Sequence, residues 1–141
     1  QRIFAEKPVA RELAGRIAAA AEKLRVGDPT LPETEVGPLI RPSEVERVDQ
    51  WVREAVTGGA EALCGARPLS ATCYGPTVLF NPPADSRVMT HEVFGPVVCV
   101  AAAHRRCHGD DQRSHGIPRR LDAVCRLARS WAGRRRHPVH V

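Results

Sequence analysis

Several features that would announce a function are missing from this sequence. No apolar run exceeds Val97 to Ala103, far short of the ~20 residues that a membrane-spanning helix needs. No charged-then-apolar leader opens the chain, so a soluble, cytoplasmic protein without a membrane partner is expected. The five cysteines, Cys64, Cys73, Cys99, Cys107 and Cys125, are odd in number and contain no C-x-x-C. Neither a disulfide framework nor a zinc ribbon is therefore indicated, and free thiols in a reducing compartment are expected. There is no Gly-rich phosphate loop, no internal repeat, and no methionine before Gln1. That last absence suggests a piece of something longer.

What is present is unevenly distributed. The net charge of +5 would suggest nucleic-acid binding if it were spread over the chain, but it is not. Residues 1–101 hold 11 Lys+Arg and 13 Asp+Glu, whereas residues 102–141 hold 10 Arg, no Lys and 3 Asp. Five of the six histidines also fall in that last part. The division predicts two regions, 1–101 and 102–141. The hydrophobic fraction of 43% is enough for an ordinary core.

In the first region, Val9, Leu13, Ile17, Ala20, Ala21 and Leu24 recur at spacings of three and four. They predict an amphipathic helix from Pro8 to Leu24 that ends at the Gly- and Pro-rich "VGDPTLP". A second helix is predicted from "RPSEVERVDQWVREAVTGG". Ser43 and Glu46 have the spacing of a capping box, Val45, Val48, Val52 and Val56 line one face near Trp51, and Gly58-Gly59 supplies a left-handed stop. Three short apolar segments follow, "AEALCGA", "TVLF" and "VFGPVVCV", and read as strands. Two helices followed by short strands give an α/β class.

The motifs "KLRVGDP", "PETEVGPLI", "GAEALCG", "GPTVL" and "HEVFGPVV" stand in one order and together resemble the aldehyde dehydrogenase superfamily over roughly residues 1–100, in the catalytic domain after the active-site cysteine. The E-x-F-G-P piece is the most specific. The resemblance implies an NAD- or NADP-dependent oxidation of an aldehyde to a carboxylic acid through a cysteine thioester. It implies that Glu92 accepts hydrogen bonds from the nicotinamide ribose hydroxyls and that Phe94 forms a wall against the nicotinamide. A carboxylate can take both donors of a vicinal diol. Phe94, two residues on, is expected to face the same side of an extended segment, with Gly95-Pro96 turning the chain into the next strand. His91 departs from the family, many members of which carry an acid there. The resemblance places the nucleophilic cysteine roughly four residues before Gln1, in a Cys-x-x-x-Gln-Arg arrangement, so no catalytic residue is assigned in this chain. Cys64 and Cys99 are expected to be inert packing. The complete subunit is expected to bind aldehyde and dinucleotide and to form a homo-oligomer. The polypeptide alone is expected to be inactive and marginally stable.

Residues 102–141 lack the family's continuation and are expected to be irregular. Their Arg, Ala, His, Gly and Pro content is what out-of-frame translation of a GC-rich strand produces, and a frameshift near residue 101 is the favoured explanation. An alternative is a non-enzymatic basic module whose arginines bind nucleic acid nonspecifically, aided by a weak helical stripe through Leu121, Val124, Cys125, Leu127, Ala128 and Trp131. A single tryptophan for stacking argues against it, so nucleic acid is not an expected partner. His104, Cys107, His108, His115 and Cys125 match no standard zinc spacing, and no metal is expected.

Overall fold

The computed structural model describes residues 1–103. Strand β1, Arg2–Glu6, leads directly into helix α1, Lys7–Ala21. This strand was not expected. Its five residues are exposed at both ends and half-buried between them, and pairing with a distant strand, rather than a strong local pattern, makes it a strand. Pro8 lies in the first turn of α1, as anticipated. There its missing N–H costs nothing.

The buried face of α1 differs from the expected one. Ala10, Ala14 and Ala18 are the buried residues, while Val9 is 52% exposed and Leu24 39% exposed beyond the end of the helix. Alanines at every fourth position form a smooth stripe that lets the helix lie close to a sheet, and Leu13 and Ile17 remain half-buried beside it. Ranking positions by side-chain hydrophobicity puts the inward face one residue out of place.

Helix α2, Pro42–Thr57, buries Val45, Val48, Val52 and Ala55. Ala55, not Val56, completes the apolar face. The capping box does not form: Arg41 is the N-cap, in an extended conformation, and no side chain caps the end. Pro42 occupies the first turn and carries no N–H to satisfy, so Ser43 already lies inside the helix. The C-terminus follows the double glycine closely. The amide of Gly59, at φ +108°, donates to the Val56 carbonyl at 3.0 Å, and that of Ala60 to Ala55 at 2.9 Å. This pair of bonds is a Schellman stop.

Strands β2 (Glu61–Cys64), β3 (Thr77–Phe80) and β4 (Val97–Ala103) follow, with the one-turn helix α3, Arg87–Thr90, between β3 and β4. The sheet order is β1-β4-β3-β2, with β4 parallel to both β1 and β3, and β2 antiparallel to β3. The alternation of strand residues divides the core in two. Val78, Phe80 and Val100 pack with the alanines of α1. Leu79, Val97 and Cys99 pack with the valines of α2, together with Tyr74, Val88 and Val93. A helix covers each sheet face, which explains why β3 is buried at all four residues. Burial of side chains such as Val48, Leu79 and Val100 contributes about 1.5–3 kcal/mol each.

Candidate functional site

The link from β3 to β4 carries the E-x-F-G-P motif, and helix α2 fixes its course. At its start, the Ser86 carbonyl accepts from the amide and the hydroxyl of Thr90, both at 3.0 Å. After α3 the backbone becomes extended at His91. Val93 is buried in the core beside α2, and Glu92 and Phe94 on either side of it are exposed. Phe94 is 74% exposed. The expectation of a continuously extended segment from Glu92 to Phe94 is not met, because Phe94 has φ +46°, a left-handed conformation that costs an L-residue roughly 1–2 kcal/mol. An aromatic held exposed in such a conformation is an unusual arrangement, of the kind that gathers at functional sites.

Gly95 follows for a steric reason: a Cβ there would lie 3.0 Å from Cγ2 of Val48. The Pro96 carbonyl then accepts from the Thr77 amide at 2.8 Å, leading the chain into β4.

The Glu92 side chain has no hydrogen-bond or ion-pair partner among the described residues, so both of its oxygens remain available to donors from a ligand. Its neighbours are tied back to the protein. Nη2 of Arg47 donates to the Val93 carbonyl at 2.6 Å, and Nε of Arg47 donates to Glu44 at 2.7 Å. The Arg47 guanidinium lies 4.6 Å from the Trp51 ring centre, and Trp51 packs against the ring of His91 at 5.6 Å. Arg87 covers Trp51 at 5.5 Å and donates to Glu54 at 2.6 Å. Hydrogen bonds from Arg47 and then Arg41 hold the Glu44 carboxyl below the usual carboxylate range. Sequence reading assigned no role to these side chains. Their signal was the spacing of Glu44, Arg47 and Trp51 at three and four residues, which aligns them on one face of a helix.

None of the three described cysteines lies in the 87–96 link. Cys64 closes β2 and Cys99 lies within β4, both buried. Burial raises the thiol of Cys64, and it pushes that of Cys99 up to about 11, so each stays protonated near neutrality. Cys73 is half-buried and borders a cavity of about 430 Å³ lined by Val26, Asp28, Pro38 and Leu69 among others; none of its lining residues belongs to the 87–96 link. Among the described residues no group of three or more His, Cys, Asp or Glu can hold a metal ion, and no helix is long and apolar enough to cross a membrane. The Arg-rich stripe and the His104, Cys107, His108, His115 and Cys125 set lie outside the described residues.

Comparison with known proteins places this geometry in a family. The model of the aldehyde dehydrogenase family matches residues 1–108. The 3-sulfolactaldehyde dehydrogenase of Priestia aryabhattai is 41% identical over 101 residues, which is 72% of this chain and 21% of that protein. Among solved structures, an aldehyde dehydrogenase of Mycobacterium tuberculosis complexed with NAD+ superposes with a TM-score of 0.68 at 27% identity, over 74% of this chain and 23% of that one. A glyceraldehyde-3-phosphate dehydrogenase of Methanocaldococcus jannaschii complexed with NADP gives 0.69 at 27% identity, over 74% and 22%. The chain thus spans about a fifth of the length of the curated relatives it matches.

Proposed function

Because the chain belongs to the aldehyde dehydrogenase family, we propose that residues 1–101 are a portion of the catalytic domain of an enzyme that oxidises an aldehyde to a carboxylic acid through a cysteine thioester, with NAD or NADP as hydride acceptor. The site reading rests on one observation: Glu92, with both oxygens free among the described residues, stands one buried valine away from an exposed Phe94. In this proposal Glu92 accepts hydrogen bonds from the two nicotinamide ribose hydroxyls, and Phe94 offers a flat apolar surface to the ring. When bound, the dinucleotide supplies the hydride-accepting chemistry. The catalytic thiolate and the dinucleotide-binding domain are proposed to belong to the remainder of a cytoplasmic, homo-oligomeric subunit. Residues 102–141 are proposed to be an Arg/His-rich tail, with the correction that Ala102 and Ala103 still belong to β4.

The experiment is to replace the matching 101 residues of the Priestia 3-sulfolactaldehyde dehydrogenase with residues 1–101 of this chain and to follow reduction of dinucleotide with the host's aldehyde. The graft is expected to retain activity within about tenfold of the host, since the exchange conserves core volume and pattern. The 141-residue chain by itself is expected to reduce no dinucleotide, because a cysteine enzyme without an activated thiolate loses its covalent step. A folded graft with no activity would count against the assignment, as would turnover by the chain alone.

A further inference from the structure

We infer that Arg47 is the positioning residue of the Glu92–Phe94 segment, holding the strained Phe94 backbone through the Val93 carbonyl. The value of this placement to catalysis rests on the proposed role of Glu92, but the placement itself can be tested separately.

Phe94 occupies a conformation that an isolated chain would leave, so its two neighbouring peptides must be held. Helix α2 holds both, through consecutive residues. On the side of Gly95, Val48 packs tightly: a Cβ on Gly95 would lie 3.0 Å from its Cγ2. On the side of Val93, Arg47 donates to the carbonyl at 2.6 Å. Arg47 is itself restrained along the helix. Glu44, one turn earlier, accepts from its Nε, and Trp51, one turn later, stacks beneath its guanidinium. The planar fork can make the carbonyl bond, the carboxylate bond and the ring contact together, a combination that a flexible ammonium does not provide. Trp51 adds a contact to His91, immediately before Glu92. Nothing else among the described residues hydrogen-bonds the Val93 carbonyl.

The test is residue-resolved amide exchange on the intact 141-residue chain for wild type, Arg47→Met, Arg47→Lys and Arg53→Met. Arg53 also lies on α2, where its exposed side chain pairs with the mostly buried Asp49, and it makes no bond to the 87–96 link, so it controls for loss of a helix charge. Loss of a charged hydrogen bond predicts that Arg47→Met accelerates exchange at His91 and Val97 about tenfold, while Leu79 and Val100 in the sheet exchange as before. Arg47→Lys is expected to recover part of the protection, and Arg53→Met to change nothing. If Arg47→Met leaves His91 and Val97 unchanged, or if Arg53→Met accelerates them equally, the inference is overturned. If Arg47→Met unfolds the whole chain, Arg47→Lys decides: acceleration limited to the link supports the inference, and acceleration shared with the sheet overturns it. The role of Glu92 is judged on dinucleotide kinetics instead, so either idea can fail without the other.

Discussion

Gly65→Ala is expected to destabilise the chain by about 3 kcal/mol or more, enough to unfold most of a marginal domain. Gly65 has φ +69°, and a Cβ there would lie 2.2 Å from the Pro76 carbonyl oxygen and 2.7 Å from Oγ1 of Thr77. The first obstacle is backbone and cannot swing aside. The second belongs to a buried hydroxyl that accepts from the Ala66 amide at 2.8 Å and donates to the Gly75 carbonyl at 2.7 Å. Moving it therefore breaks two bonds in a region without water to replace them. Two other glycines give the scale. Gly59, at φ +108°, has nothing within 4 Å of its Cβ position, so Gly59→Ala should lose only the conformational penalty, about 1–2 kcal/mol. Gly15 is inside α1 with open space around it, and Gly15→Ala should stabilise by roughly 0.5–1 kcal/mol. Denaturant midpoints at constant slope provide the comparison. If Gly65→Ala cost no more than Gly59→Ala, the close crossing of residues 64–66 over 75–77 would be wrong.

Glu92→Ala is expected to have the largest effect on activity. In the grafted enzyme it removes two charge-assisted hydrogen bonds to the ribose, a loss of about 3 kcal/mol, or roughly a hundredfold in kcat/KM for the dinucleotide. Glu92→Gln keeps one acceptor oxygen and should fall between the two. The KM for aldehyde should change by no more than about twofold, since uniform loss of dinucleotide binding leaves substrate contacts intact. Folding should be unaffected, because Glu92 bonds to nothing among the described residues. An Ala variant with unchanged dinucleotide kinetics, or one that raised only the aldehyde KM, would remove Glu92 from the cofactor site.

The parts of this fold legible in the sequence were those set by local pattern. Helix α2 is visible because three valines and a terminal pair of glycines agree on one period and one stop. Strands β3 and β4 are visible as apolar runs bounded by Gly and Pro. Strand β1 was not, since its five residues depend on pairing with β4, almost a hundred positions away. The face of α1 was misplaced because hydrophobicity favours Val9 over Ala10, whereas close approach to a sheet favours the alanine. The capping box failed at Ser43 because Pro42 already satisfies the start of the helix. At the site, Glu92 and Phe94 were reached only through the family resemblance. The left-handed backbone of Phe94 has no local sequence signal, because tertiary contacts from Arg47 and Val48 impose it against the preference of an aromatic residue.

A structure of the grafted enzyme with NAD+ bound is the most direct test of the account. It should place the carboxylate oxygens of Glu92 about 2.6–3.0 Å from the two nicotinamide ribose hydroxyls, with the Phe94 ring against the nicotinamide and its backbone still left-handed. A Glu92 turned away to a protein partner, or a Phe94 ring packed into the subunit core with the dinucleotide elsewhere, would contradict it.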